Sequence, residues 1–557
     1  MANLVSPGVQ VKEIDLTNVV PSVSSTIGAM AGAFQWGPAD EITTVTSETE
    51  LVDKFGEPDA STFESVLSAS QFLSYGNNLK VVRAVGSSAR NATASGTGIL
   101  TQNKTVFDGQ SPAAADYVQA RHPGTIGNAV GVSIITAGQT MTAWQASHVE
   151  SAPGTTAGAA AVGGSNDEMH LWVYDVDGTI TGTVGTVLEY WTYLSQASDV
   201  KSSDGSTLYY KDVINQGSDW IFVGNHKSSM SKAGQSATNN AFVTVASFFV
   251  ALTGGIDDNT LTVGETTAAY NLFSDAETVD VNLVFQANSG LSSADTRTLS
   301  NYITALTAAR KDAVGFVSPE RAATVNAAAP ATSVAAWRTA LTSTSYGFAD
   351  SSSLYVYDKY NDVYRWICAA GSTAGLTANA DLVADAWFSP AGFTRGNVRN
   401  VTKLAWNPNQ AERDALYKTG VNPVVTFPGQ GTVLFGDKTL LAKPSAFDRI
   451  NVRRLFIVLE EAVSTASKAS LFEFNDEFTR AQFRNMVEPF LRDVQGRRGI
   501  TDFKVVCDGT NNTGAIIDSN KFVADIFIKP ARSINYITLN FIATRTGVEF
   551  SEIAGGN

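Results

Sequence analysis

A chain of 557 residues with 44% hydrophobic and 17% charged residues is too long for one compact core and too apolar to be disordered, so several packed domains are expected. A formal net charge of −14 speaks against a generic nucleic-acid surface, and Cys368 and Cys507, far apart and outside any CxxC, speak against a disulfide framework. No basic-then-apolar leader and no run of eighteen apolar residues occurs, so neither signal-peptide secretion nor membrane insertion is expected.

Val9, Gln10, Val11, Lys12 and Glu13 follow a Ser-Pro-Gly turn and alternate apolar with polar, as a short extended arm does. STIGAMAGAFQWGPAD reads as a small-residue buried strand ending in a turn. SETELVDKFG predicts a helix: Ser47 as N-cap, Glu50 as the reciprocal cap, Leu51, Val52 and Phe55 inward, Gly56 as the stop. A second helix is expected over about 62–75, and LKVVRAV is a strand, so residues 23–90 read as α/β. After Arg90, Ala/Gly/Ser/Thr-rich stretches flank strand-like GVSIITA and MHLWVYDVDGTITGTV, with Asp177-Gly178 as a hairpin signal. This texture marks a small β-rich insertion facing solvent, and residues 95–160 are expected to be dispensable. The charge agrees, since residues 101–300 carry 7 Lys+Arg against 19 Asp+Glu, whereas residues 437–508 carry 12 against 11.

From residue 279 the α/β texture returns, with strands at VDVNLVFQA and DAVGFVSP, a helix from Ser292 to Arg310 and another through VAAWRTAL. SSSLYVYDKYNDVYRWICAA reads as two strands around a KYND turn, followed by a helix at LTANADLVADAW. NPNQAERDALYKTG predicts a helix with Asn407 as N-cap, Pro408 at its first position and Gly420 as terminator. VVTF and GTVLFG are short strands, and long helices are expected over about 446–463 and 476–494. KFVADIFIK and SINYITLNFIAT should pair, with Pro530 in the turn between them. Beyond them Thr544, Arg545, Thr546, Gly547, Val548, Glu549 and Phe550 form a second extended arm.

Chemistry-bearing motifs fail on spacing. In GTVLFGDKT, Asp437 separates Gly436 from Lys438, which displaces the lysine a phosphate loop needs and sets a carboxylate among its amides. His122, His148, His170 and His226 are scattered, and DVDG at 175–178 lacks the later ligands of a calcium loop. No catalytic, cofactor-binding or metal-binding residue is therefore expected. One charge pattern stands out: Arg480 and Arg484 share a stripe of a helix whose buried face is Phe483, Met486, Val487, Phe490 and Leu491, with Asp476, Glu477 and Glu488 as possible internal partners. Arg449 and Arg453 are spaced alike.

Several stretches together resemble the contractile tail sheath proteins of myovirus bacteriophages. They are LVSPGVQVKE, GAFQWGPADEITTVTSETELVDKFG, FLSYGNNLKVVRAV, YVYDKYNDVYRW, FSPAGFTRGNV, FGDKT, FDRINVRRLF, FEFNDEFTRAQFR, VVCDGTNNT and IKPARSINYITLNF, which cover residues 1–90 and about 345–557 densely. Residues 91–340 resemble the family only in being its variable insertion. The resemblance implies an α/β (α+β) multidomain chain: an inner domain built from both termini, with a mixed sheet and two long helices, plus inserted outer domains that include the β-rich module. The implied boundaries are 1–22 for the N-terminal arm, 23–90 and 344–407 for a middle domain in two parts, 91–165 and 166–343 for two insertions, and 408–557 for the inner domain with its C-terminal arm. It also implies a non-enzymatic subunit without cofactor or nucleic acid. Such subunits stack as six-membered rings around a tail tube protein, with baseplate and tail terminator proteins as further partners, first in the host cytoplasm and then in the virion. On this reading the two arms link neighbouring subunits, and Arg480 and Arg484, then Arg497 and Arg498, are the candidates to face the tube. A tail-tube or decoration protein is the structural rival, and a cryptic nucleotide-binding or hydrolytic enzyme the chemical one.

Overall fold

The computed structural model describes residues 24–110, 116–288, 290–535 and 538. Both arms, Val9 to Glu13 and Thr544 to Phe550, and most of residues 533–544 lie outside that range. The chain divides into two compact units, one ending at Phe472 and one beginning at Glu473.

The first unit is built on a six-stranded sheet in the order Gly347–Ala349, Val314–Val317, Leu283–Phe285, Gly28–Ala33, Leu79–Ala84 and Ile42–Val45. All neighbours run parallel except the last pair. Parallel strands are covered on both faces, which explains why GAMAGA and LKVVRA are small or apolar almost throughout instead of alternating. One face packs helices Phe63–Leu73 and Ala370–Val383 over Phe72, Phe285, Phe316 and Phe348. The other packs Val263–Asn271 and Ser293–Arg310 over Tyr270, Leu299, Ile303 and Trp337. A Cβ at Gly28 would collide with the Phe72 ring, so glycine sets how closely that helix approaches.

This sheet groups the segments differently from the sequence-based boundaries. Leu283–Phe285 and Val314–Val317, expected in the insertion 166–343, flank the strands of residues 23–90. Leu416, Val421 and Leu440, expected in the inner domain from 408, lie in the core of the same body. The boundary at 165/166 falls between Val130–Thr136 and Glu168–Asp175, which pair along their whole lengths within a four-stranded antiparallel sheet. A single inserted domain results, with its own core of Val130, Val132, Leu171, Val173, Ile214 and Ile221. Its two ends meet: Arg90 and Ile256 exchange both backbone hydrogen bonds at 3.0 Å, and the Gly86 amide donates to Asp258 O at 2.9 Å. Arg83 pins this neck. Its guanidinium is fully buried and donates to four carbonyls, Phe34 O at 3.0 Å, Gln35 O at 3.3 Å, Gly37 O at 2.8 Å and Pro123 O at 2.8 Å.

Local signals fare better. Ser47 caps helix Glu48–Phe55, although Glu50 accepts from Thr46 and not from the cap residue. The KYND turn joins Ser353–Asp358 to Val363–Cys368 as a hairpin. Helix Gln410–Thr419 ends at Gly420 in a left-handed conformation, but its cap is Asn409, boxed with Glu412. Asn407 is engaged elsewhere, bridging both backbone groups of Thr426.

In the second unit, helix Glu477–Gly496 packs on a two-stranded antiparallel sheet of Ile500–Val506 and Asp525–Pro530. Asp525–Pro530 thus pairs with the strand before it, and Pro530 ends that strand opposite Ile500 instead of sitting in a turn. The sequence had offered no reason to read ITDFKVV as its partner.

Two predictions follow from the body. Excising residues 91–255 with a short linker should leave it folded, because Arg90 and Ile256 are adjacent, whereas excising 95–160 removes a central strand, Val130–Thr136, and should yield insoluble protein; solubility and circular dichroism decide. Asp350 is fully buried, bonded to the Ser318 hydroxyl and the Ser352 amide, and burial pushes its carboxyl from 3.8 up to about 7. Between those values the folded chain holds a proton that the unfolded chain has lost, so the stability this group contributes falls as pH rises and levels off above about 7. The melting temperature of Asp350→Asn relative to the wild type should therefore rise between pH of about 4 and 7.

Candidate functional site

Asp476 opens helix Glu477–Gly496 by accepting the Thr479 amide at 2.8 Å. Phe483, Met486, Val487, Leu491 and Val494 then turn inward, while Phe490 is only half-buried. The exposed face runs through Phe478, Gln482, Asn485, Pro489 and Arg492. Pro489 breaks no buried ladder there, since the Asn485 carbonyl it leaves free lies on the wet side.

Arg480 and Arg484 do share a stripe, but it faces the unit's own interior. Arg480 is 8% exposed and its Nε donates to Asp476 O at 2.9 Å. Arg484 reaches the Cys507 carbonyl and lies 3.4 Å from Glu477. Spacing alone cannot distinguish this arrangement from a solvated stripe, because long aliphatic stems pack as apolar groups and the guanidinium fork then caps carbonyls. Arg497 and Arg498 are exposed, Arg497 within 3.7 Å of Asp493. Arg492 is exposed beside them, and its recurrence with Asn485 and Pro489 at helical spacing is its signal in the sequence.

The sheet of this unit has only two strands among the described residues, so each presents an outer edge. Its sides are thinly covered: Ile526 and Ile528 are half-buried, Phe527 is 60% exposed and Ile534 is 82% exposed. Phe474 and Phe478 add two large exposed rings at the start of the helix.

Asp437, Lys438, His170 and His226, among the chemistry-bearing candidates, make local structural contacts. Asp437 is buried and accepts from Tyr417 Oη at 3.0 Å and Arg449 Nη1 at 3.3 Å, while Lys438 donates to Tyr417 O at 2.8 Å. His170 bridges Ser151 O at 3.1 Å and the Tyr193 amide at 3.0 Å. His226 meets Tyr210 Oη at 2.7 Å and is pushed down to about 4 by burial, then by Lys211. Among the described residues no group of three or more His, Cys, Asp or Glu is arranged to hold a metal ion, and no helix is long and apolar enough to cross a membrane.

Three family models match: tail sheath protein Gp18 domain III N-terminal region over residues 25–84, phage tail sheath protein central domain over 264–440, and phage tail sheath C-terminal domain over 442–544. The tail sheath protein of Enterobacteria phage T4 is 34% identical, over 99% of both chains. The chain belongs to the phage tail sheath family. A second sheath relative, from Vibrio phage KVP40, is 33% identical over 99% of this chain and 100% of its own length. That alignment runs over 695 positions against 557 residues, so the relative carries residues absent from this sheath subunit. Among solved structures, a sheath tail protein from Listeria innocua shares the fold at a TM-score of 0.55 and 13% identity, over 92% of this chain and 93% of its own. The helical sheath of the anti-feeding prophage in its contracted state does so at 0.53 and 12%, over 98% and 100%. The first two matched stretches carry all six strands of the central sheet, and the inserted domain lies between them. This sheath subunit is a structural component of a contractile tail.

The placement of the four arginines is testable by stability. Arg480→Ala should cost about 1.5–3 kcal/mol, the range for hydrogen bonds from a charged group, whereas Arg498→Ala should stay within about 0.5 kcal/mol. Denaturant unfolding of the full chain, followed by hydrogen exchange across residues 477–507, measures both.

Proposed function

We propose that this subunit polymerises with copies of itself into stacked six-membered rings around a tail tube, held extended until the baseplate releases them, and that contraction drives the tube through the host envelope. The observation that carries this reading is the second unit's two-stranded sheet, Ile500–Val506 with Asp525–Pro530, whose outer edges are open among the described residues. Two strands alone are marginal, and open edges are where further strands add. Residues 9–13 and 544–550, extended by their sequence pattern, are the strands we assign to those edges in neighbouring subunits.

The tube-proximal part is residues 473–557 with the arm 1–22, narrower than the 408–557 read from the sequence; the compact division at Glu473 supports it. The inserted domain, residues 91–255, faces outward, which its acidic composition favours. Arg497 and Arg498, joined by Arg492, replace Arg480 and Arg484 as the basic residues offered to the tube, because they are exposed. No step requires a nucleotide, a cofactor or an enzymatic residue, since the energy lies in the packing of the extended state. Assembly takes place in the host cytoplasm, with a tail terminator protein closing the stack.

Deleting residues 1–14, or separately 545–557, should give a soluble, folded monomer that forms no sleeves by negative-stain electron microscopy. Sleeves of normal length from either truncation would show that the arm in question does not link subunits.

A further inference from the structure

The chain enters the central sheet through Ser24 to Ile27, and this short passage is held from three sides. Ile27 O accepts from the Asn282 and Leu283 amides at 3.0 Å each, while the Ile27 amide donates to Asn282 Oδ1 at 3.3 Å. Two residues earlier the contacts change in kind. Ser25 Oγ donates to Asp381 Oδ2 at 2.6 Å, and Arg454 Nη2 donates to Ser25 O at 2.9 Å. Arg454 and Asp381 close a bidentate ion pair between helix Ile450–Ser467 and helix Ala370–Val383, with side chains only 4% and 5% exposed.

A buried ion pair is poor evidence of stabilisation, because desolvation of both charges offsets their attraction and two apolar side chains often join helices as well. Apolar side chains cannot, however, bind a backbone carbonyl and a hydroxyl on a segment passing between the helices. The pair does both at one residue, Ser25. The preceding arginine is engaged differently: Arg453 lies over the Tyr346 and Phe447 rings, 4.5 Å from each, and 3.4 Å from Glu460.

We propose that Arg454 and Asp381 are positioning residues for the N-terminal arm, clamping Ser25 to the body so that the arm always departs from one fixed point. The proposal rests on the reading of that arm as a link between subunits. A link anchored in this way transmits rotation of one body to the next; a link free from Ile27 onward would absorb it.

The test uses the full chain, with sleeve yield by electron microscopy, thermal unfolding, and hydrogen exchange in peptides covering residues 24–28 and 280–284. Arg454→Lys keeps the charge but loses the fork, and Ser25→Ala removes only the hydroxyl. Both should keep the wild-type circular dichroism, exchange roughly tenfold to a hundredfold faster in those two peptides, as expected for lost hydrogen bonds to charged groups, and lose most of their sleeves. The double variant Arg454→Met/Asp381→Leu separates positioning from stability. It should unfold at or above the wild-type temperature and still fail to form sleeves, whereas normal sleeves from it would overturn the proposal. The deletion of residues 1–14 is the control. If that deletion blocks assembly while the clamp variants assemble normally, the clamp proposal fails and the arm reading stands; if the deletion itself assembles, the arm reading fails.

Discussion

The body depends on one constraint: its central strand, Gly28–Ala33, is buried and must be paired in parallel on both sides. One partner, Leu79–Ala84, comes after a short α/β excursion, and the other, Leu283–Phe285, arrives only after the whole inserted domain. Parallel pairing always needs a crossover, and here the crossover has become a domain. Such an excursion is tolerable only if it buries its own apolar surface, which the separate core around Val132 and Leu171 achieves. It must also return where it left, and the Arg90–Ile256 exchange provides that return.

Joints of this kind leave carbonyls without ladder partners, and the same side chain recurs to satisfy them. Arg83 serves four carbonyls at the neck. Arg310 serves Phe273 O at 2.6 Å and Val279 O at 2.8 Å while pairing with Asp312. Arg338 ties the helix Pro330–Thr339 to Leu440 O at 2.6 Å. A guanidinium carries five donors in a rigid plane and stays charged even where burial lowers it, as at Arg83, which is brought down to about 10. A lysine could satisfy one or two of these carbonyls, but not a set spread around a turn. The arginines that look like a binding stripe in the sequence are therefore partly structural, and Arg480 is the clearest case.

What the sequence made legible was local. Ser47 and Gly420 mark helix ends because capping chemistry is written within four residues, and the KYND hairpin is equally self-contained. Asn407 was mistaken for Asn409 although the box with Glu412 was in view, because Asn-Pro and Asn-Gln both suit a helix start and only the distant Thr426 occupies the former. The pairing of segments across the expected boundaries was hidden for a deeper reason. Neither the pairing of Val130–Thr136 with Glu168–Asp175 nor the return of residues 283–317 to the first sheet leaves any mark in short-range periodicity. The inward turn of Arg480 was equally hidden, since it depends on which side of its helix the strand Ile500–Val506 occupies.

The central sheet of the body and the small sheet of the second unit treat strand edges differently, and this difference bears on how a sheath can be both sturdy and convertible. The body's sheet ends in strands of three and four residues, Gly347–Ala349 and Ile42–Val45, too short to recruit another chain. Among the described residues the second unit presents strands of seven and six residues with an outer edge on each. Main-chain pairing is indifferent to side-chain identity and survives bending of the segment that supplies the strand, whereas side-chain packing between bodies is lost on rotation. On the proposed assembly, arm strands added to that small sheet would be the bonds that persist, and the larger surfaces would be left to repack. On that reading, those surfaces hold the energy difference between extended and contracted states.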